Sequence, residues 1–404
     1  MPSFEEARRL VLNNVAPLGS ERVGLLESLG RVIAEDIVAP WNLPACDNAA
    51  MDGYAVRSAD CQPPRSLRIT GFVPAGAVAA APVEAGCAIK IMTGAPIPEA
   101  CDAVVPFEDA EECGDQVRIA APGKRGQNIR FAGEDVRRDE TVISAGKVIR
   151  AAETSMLVSC GKTLVTVYRK PMVAILSTGD ELLEPGETLV SGKVLDSNSV
   201  SLAAGVRGCG ATPVILGIAR DNHASHLEKM TEGLRADVLI TSAGVSAGER
   251  DLVREVLAEL GMKQVFRWVD IGPGAPTCFG LKDGKPVFCL PGNPVASMIT
   301  FEEFVRPALL KMMGHRRVLK PLVRAILQQE VRKKPGKVKF LRVRLESAGG
   351  KLLAYSAGDQ NTGILKTMLL ADALAVLPAE RVSFSAGDEV EVHRISEDAE
   401  LLEP

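Results

Sequence analysis

Apolar positions change their spacing several times along the chain. Phe4, Ala7, Leu10 and Val11, then Leu25, Leu26, Leu29, Val32 and Ile33, recur at helical intervals on either side of Pro17-Leu18-Gly19. The spacing predicts two helical pieces of an arm. From residue 47 to about 139 the texture becomes short β-like runs, at 67–69, 103–105 and 116–119, separated by glycine and proline. That segment reads as a small β domain, its acidic tip (Glu108, Asp109, Glu111, Glu112, Asp115) as a solvated loop.

Beyond Pro171, continuous apolar runs at 172–176, 214–218, 238–240 and 287–290 alternate with amphipathic stretches. Ser225-His-Leu-Glu228 fits a capping box that opens one helix, and Leu252, Val253, Val256, Leu257 and Leu260 line a face of another that stops at Gly261. Asn293 suits an N-cap and Pro294 the first turn of a helix reaching Met313. This alternation predicts a doubly wound, mostly parallel sheet covered on both faces. After Gly314, Val338, Phe340, Val343 and Leu345, then 352–353, 374–376 and 390–392, predict antiparallel strands of a C-terminal β domain. It carries a basic stretch of Arg332, Lys333, Lys334, Lys337, Lys339, Arg342 and Arg344. The expected organisation is multidomain α/β plus β. A discontinuous helical arm (1–43 and 140–170) brackets an inserted β domain (44–139), followed by the α/β domain (171–314) and the C-terminal β domain (315–404).

Composition narrows the partners. The 404 residues are 46% hydrophobic and 24% charged, an ordinary globular balance that excludes a disordered or fibrous chain. Forty-seven basic against 51 acidic residues leave a net charge of −4, so neither nucleic acid nor a membrane surface is expected as partner and a small molecule is. The nine cysteines form no Cys-x-x-Cys pair and read as reduced thiols. With no apolar run of spanning length, the expected location is the cytoplasm.

Ligands of open parallel sheets bind beyond the carboxyl ends of the strands. Three glycine- and serine-rich loops take that place: Ser177-Thr-Gly-Asp-Glu181, residues 241–251, and Leu290-Pro-Gly-Asn-Pro294. Backbone amides and hydroxyls so placed suit a phosphate-bearing ligand. Gly205-Val-Arg-Gly208-Cys-Gly210 fits no dinucleotide fingerprint, and His223 and His226 lack further ligands for a metal. No nucleophile pairing stands out. Asp52, Asp135, Glu181, Asp221 and Asp251 remain, each beside glycine or at an element end. Carboxylates near a phosphate work through Mg²⁺, since bare ones would repel the anion.

Seven motifs then fall in order. They are Pro44-Ala-Cys-Asp-Asn-Ala-Ala-Met-Asp-Gly-Tyr-Ala-Val56, Ile91-Met-Thr-Gly-Ala-Pro96, Gly133-Glu-Asp135, Ser177-Thr-Gly-Asp-Glu-Leu182, Asp196-Ser-Asn198, residues 241–251 and Leu290-Pro-Gly-Asn-Pro294. Together they resemble the MoeA family, the molybdopterin molybdenumtransferases, also represented by the E domain of gephyrin. The resemblance implies a MoaB/MogA-like α/β domain, a barrel-like C-terminal domain and an L-shaped homodimer. Its cleft would lie between the α/β domain of one subunit and the β domain of the other. It implies a transferase that takes molybdate and adenylylated molybdopterin, the latter from a MogA/MoaB-like adenylyltransferase, inserts the metal and releases AMP with Mg²⁺.

Position by position, the resemblance implies a catalytic set of Asp52, Asp135, Glu181, Asp221 and Asp251, with Asp221 and Asp251 handling the metal. Substrate would be held by Thr93, Thr178, Gly179, Ser242, Gly244 and Ser246, by Pro291, Gly292, Asn293 and Pro294, and by Lys337 and Thr362. Lys337 and Thr362 stand where the family usually has arginine and serine, and Ala243 and Ala247 also depart from its usual residues. A larger departure is Arg267-Trp-Val-Asp-Ile-Gly-Pro-Gly-Ala-Pro276, in which Trp268, Gly272 and Ala275 replace three expected lysines. Each lost charged hydrogen bond to an oxyanion costs about 1.5–3 kcal/mol. Two expectations follow: a transferase with a rebuilt anion pocket, or a paralog that carries pterin, acts as a scaffold or uses tungstate.

Overall fold

The computed structural model describes residues 1–61, 65–120, 123–244 and 252–396. Ser3 caps the first helix, α1 (Phe4–Asn13), its hydroxyl accepting from the Glu6 N–H while Glu6 accepts from the Ser3 N–H. Phe4, Ala7 and Val11 are buried with Phe304 and Phe340, so α1 docks where the α/β and C-terminal domains meet. The second expected helical piece does not form. Residues 25–30 turn, and Val32 and Ile33 bridge to Val148 and Val167. The helical spacing there marks no buried face, since Leu26 is 86% and Leu29 59% exposed. An antiparallel pair, Ser20–Gly24 with Leu164–Tyr168, and helix α2 (Ala151–Ser159) build the arm.

The β domain holds strands β1 (Gly53–Val56), β2 (Ser66–Val73), β3 (Cys87–Ile91), β4 (Ala103–Pro106), β5 (Ala110–Cys113) and β6 (Gln116–Ile119), in spatial order 4-1-3-2-6-5. Alternate residues of β1 feed two small cores, Ala55 one and Tyr54 and Val56 the other.

The α/β sheet has strands β7 (Met172–Thr178), β8 (Thr212–Ala219), β9 (Val238–Ser242), β10 (Lys263–Phe266), β11 (Cys278–Lys282) and β12 (Lys285–Leu290), in order 8-7-9-12-11-10. The first four are parallel, and an antiparallel hairpin closes the other edge. Both faces are covered, as their apolar runs require. Val173 and Ile175 pack with α3 (Ser197–Gly208) and α6 (Pro294–Thr300), Ala174 and Leu176 with α4 (His223–Gly233) and α5 (Leu252–Glu259). Helix α4 begins earlier than the expected capping box, because the Asn222 side chain already accepts from the Ser225 N–H at 2.9 Å. Helix α6 continues through a π-helical turn (Phe301–Val305) into α7 (Arg306–Met312).

Strands β13 (Val323–Leu327), β14 (Val338–Ala348), β15 (Lys351–Ser356), β16 (Ala373–Leu377) and β17 (Glu389–Arg394) close a five-stranded barrel, β16 pairing back to β14. Its interior is Ala325, Leu341, Val343, Ala375, Val392 and their neighbours. Several contacts among the described residues hold it to the sheet domain. Buried His393 meets Glu303 at 2.9 Å, and Ile271–Gly272 adds to β14 in parallel, Gly272 lying opposite Lys339. Among the described residues no helix is long and apolar enough to cross a membrane.

Candidate active site

The parallel strands β7, β9 and β12 end side by side, and their loops border a cleft of about 640 Å³. Leu182, Val194 and Leu195 give it an apolar wall, Ser242, Gly244 and residues 291–294 its floor, and Gly363 of the C-terminal domain part of its rim. Asn198 at the start of α3 organises the interior. Its Nδ2 donates to Ser242 Oγ at 2.8 Å and to the Gly292 carbonyl at 2.7 Å, tying two strand-end loops together. Asp196 caps the same helix, its Oδ1 accepting from Ser177 Oγ (2.9 Å) and the Ser199 N–H (3.1 Å). The second carboxylate oxygen of Asp196, Oδ2, and the amide oxygen of Asn198, Oδ1, are buried and have no partner among the described residues. A buried acceptor left unpaired costs about 1–3 kcal/mol, so both oxygens favour a ligand that donates.

The turn after β7 places carboxylates at the rim. Gly179 has φ +137°, and a Cβ there would stand 2.3 Å from Glu181 Oε2, so only glycine lets the Glu181 side chain fold back over the turn. Asp180 and Asp221 hold each other's loops: the Asp180 N–H donates to Asp221 Oδ2 (3.1 Å) and the Asp221 N–H to Asp180 Oδ1 (3.2 Å). Lys193 Nζ donates to the Asp180 carbonyl at 2.6 Å and Arg220 Nη1 to the Leu182 carbonyl at 2.9 Å. Thr178 is buried behind this turn. Ser246 and Asp251 lie outside the described residues.

Thr362, from the barrel domain, stands beside the cleft residue Asn293. Its Oγ1 accepts from Asn293 Nδ2 at 3.1 Å, so the Asn293 side chain bridges domains instead of capping α6. Lys337 is exposed, and its carbonyl accepts from Lys333 Nζ at 3.0 Å. The cation nearest Thr362 in the bonding network is Arg342, a member of the basic stretch from Arg332 to Arg344. Arg342 is fully buried; Nη2 donates to the Asp359 and Asn361 carbonyls at 3.2 Å each, while Nε and Nη1 have no partner among the described residues. Burial pulls its guanidinium below the usual arginine range, with Asp359 opposing. The signal available in sequence is register, since Arg342 follows Val338 and Phe340 on the outer face of β14, which is buried toward the α/β domain, while Leu341 and Val343 fill the barrel.

Asp52 and Thr93 form a second, separate unit. Asp52 Oδ1 accepts from both the N–H and the hydroxyl of Thr93 at 2.7 Å, which holds its carboxyl below the usual range. Asp135 is exposed in the nearby turn, its N–H on the Leu43 carbonyl. None of Asp52, Thr93 and Asp135 lines the cleft of the single chain. The lysine-poor segment folds as a tight loop, the Val269 N–H on the Ala275 carbonyl and Thr277 Oγ1 on the Gly274 carbonyl at 2.6 Å. Trp268 is half-buried with the Arg267 guanidinium 5.9 Å from its ring centre, and Pro276 reaches the cleft.

A strand-end cleft of this kind places the central domain in a definite class: residues 174–311 match the probable molybdopterin binding domain. Residues 2–161 match the MoeA N-terminal region (domains I and II) and 324–395 the MoeA C-terminal region (domain IV). The chain belongs to the MoeA family. It is 35% identical over 399 residues to the molybdopterin molybdenumtransferase of Haemophilus influenzae, covering 97% of this chain and 98% of that protein. Molybdopterin molybdenumtransferase 2 of Mycobacterium tuberculosis is 34% identical over 403 residues, covering 97% and 99%. The crystal structure of the MoeA molybdopterin biosynthesis protein from Pyrococcus horikoshii superposes with a TM-score of 0.87 at 32% identity, covering 98% of this chain and 99% of that one.

Proposed function

We propose that this protein is a molybdopterin molybdenumtransferase that inserts molybdate into adenylylated molybdopterin and releases AMP. The observation that carries the reading is a set of unmet demands: two buried acceptors lining the cleft, Asp196 Oδ2 and Asn198 Oδ1, and, outside its lining and against the loop that carries Thr362, two Arg342 nitrogens, all without a partner among the described residues. Ring N–H groups of a pterin meet the acceptors, and an oxyanion meets the guanidinium, which matches such anions with two parallel donors. Leu182, Val194 and Leu195 offer the flat apolar surface a pterin needs. The lysine-poor loop then leaves charge neutralisation to Arg342, with Lys193 and Arg220 standing on either side of Glu181.

Mg²⁺ fits the donor set. No group of three candidate ligands occurs among the described residues, but Mg²⁺ binds through one or two carboxylates and completes its shell with phosphate and water. Asp221 is the described carboxylate for it and Asp251 the other. The ion would offset phosphate charge at the scissile anhydride. Asp52, Thr93 and Asp135, remote from the cleft of their own chain, suit completion of the partner's cleft in a homodimer. A MogA/MoaB-like adenylyltransferase would supply the adenylate, in the cytoplasm.

Incubating the purified protein with adenylylated molybdopterin, molybdate and Mg²⁺ tests the reading by AMP release. Binding of the adenylate without any turnover would favour the second reading, a pterin carrier or scaffold, which the uncharged Gly272 and Ala275 motivate. Faster AMP release with tungstate than with molybdate would point to an altered oxyanion instead.

A further inference from the structure

A second cavity, about 760 Å³, lies apart from the cleft, where the arm meets the connection between α7 and the barrel. One wall is arm: Ser144, Gly146, Lys147, Arg150, Glu153 and Met156; the other is His315, Arg316 and Arg317, which follow the end of α7. Four permanent cations face one carboxylate here, a surplus of three positive charges in a chain whose net charge is −4. The carboxylate is already engaged. Glu153 accepts from the Arg150 N–H at 3.0 Å, from Nε at 3.1 Å and from Nη2 at 2.9 Å, with Lys147 3.8 Å away. Arg316 donates to the Ala145 carbonyl, and among the described residues neither it nor Arg317 has a carboxylate partner.

The approach of the two walls is built in. Gly146 sits at φ +84°, and a Cβ there would stand 2.5 Å from Arg316 Nε, so any side chain would push the guanidinium out of the cavity. Ala152, in the first turn of α2, lines the same space, and first-turn N–H groups favour anions. Val142, Ile143 and Met156 add an apolar floor. The volume falls within the range of small-molecule sites.

We propose that this arm cavity is a second anion site, distinct from the cleft, which binds a phosphate-bearing ligand of mononucleotide size. The phosphate lies between Arg316 and Arg317, and the remainder rests on the apolar floor. Free phosphate shares the charged half of this recognition, so the two sources separate by affinity. A ligand here bridges the arm and the barrel connection and sets the angle between them.

Calorimetric titration of the full chain at low salt tests the site, using AMP, inorganic phosphate and adenosine, in the unaltered protein and in N198A, which weakens the cleft. The expected result is binding of AMP and phosphate in both, none of adenosine in N198A, and about a tenfold or greater loss of both anions when R317E is added, with an unchanged thermal midpoint. AMP binding more tightly than phosphate identifies a nucleotide; equal affinity identifies the free anion. Equal titration with and without R317E overturns the proposal, as does adenosine binding in N198A or failure of both anions to bind there. Arg317→Gln separates charge from fold, since with an unchanged thermal midpoint it lowers the affinity of both anions if the guanidinium binds them and leaves it unchanged if R317E acts only by unfolding the connection.

Discussion

The Asp52–Thr93 unit of the β domain and the set formed by Asp196 and Asn198 in the cleft and Arg342 in the barrel domain are both polar, yet they are finished to different degrees. In the first, one carboxylate oxygen takes two short hydrogen bonds from a single threonine and the pair is satisfied by its own chain. In the second, each side chain uses part of its bonding capacity to fix the fold and leaves the rest buried and unmet. A satisfied pair is set in advance and can present charge to something arriving from elsewhere. An unsatisfied set gains stability only when its ligand is present, which places the binding demand at the strand ends.

That contrast can be broken most forcefully at Arg342. Arg342→Met should lower kcat/KM for AMP release by about a hundredfold or more, since charge at the oxyanion is lost, while stability without ligand stays within about 1 kcal/mol because an unpaired buried charge has also gone. Urea unfolding showing a loss above about 3 kcal/mol would make Arg342 a structural residue. Asn198→Ala should weaken binding of the adenylate about tenfold and cost about 2 kcal/mol, because Ser242 Oγ and the Gly292 carbonyl lose their shared donor. Unchanged affinity by fluorescence titration would place the ligand elsewhere. Gly179→Ala should cost about 1–2 kcal/mol in chemical denaturation, by forcing a Cβ into the Glu181 carboxylate at a positive φ.

The smallest effect belongs to the satisfied unit. In Thr93→Val the Asp52 carboxyl should return toward the ordinary value of 3.8 from its lowered position. The sign follows from linkage: a carboxyl depressed by folding contributes stability that is complete above its unfolded value and disappears as pH falls through the folded one. The unaltered protein should therefore keep Asp52 ionised to lower pH than the variant does, as read by carboxyl carbon shifts in NMR. Identical titration in both would mean that the Thr93 hydroxyl contributes nothing and the backbone N–H of residue 93, which valine keeps, does the lowering.

The parallel strands and their loops were legible in sequence because a strand buried on both faces must be apolar without interruption, as residues 172–176 and 287–290 are. The helical spacing of residues 25–33 misled because Leu26 and Leu29 face solvent while Val32 and Ile33 bury through β-bridges. The place of the candidate carboxylates beside glycines or at element ends is visible in local context alone. The burial of Arg342 is not, because a basic residue among six others looks solvated until the register of β14 sets it beside Phe340 on the face buried toward the α/β domain. The Asn293–Thr362 bond joins residues 69 apart on separate domains, a distance no local pattern encodes.

The two-residue pairing of Ile271–Gly272 onto β14 makes the barrel and the Pro276 loop one lever. Any swing of the barrel that carries Thr362 away from Asn293 must also break or drag that pairing, and so moves the rim of the cleft from both sides at once. Hydrogen exchange at the Val338 amide, which donates to the Asp270 carbonyl at 3.0 Å, would therefore report any such swing.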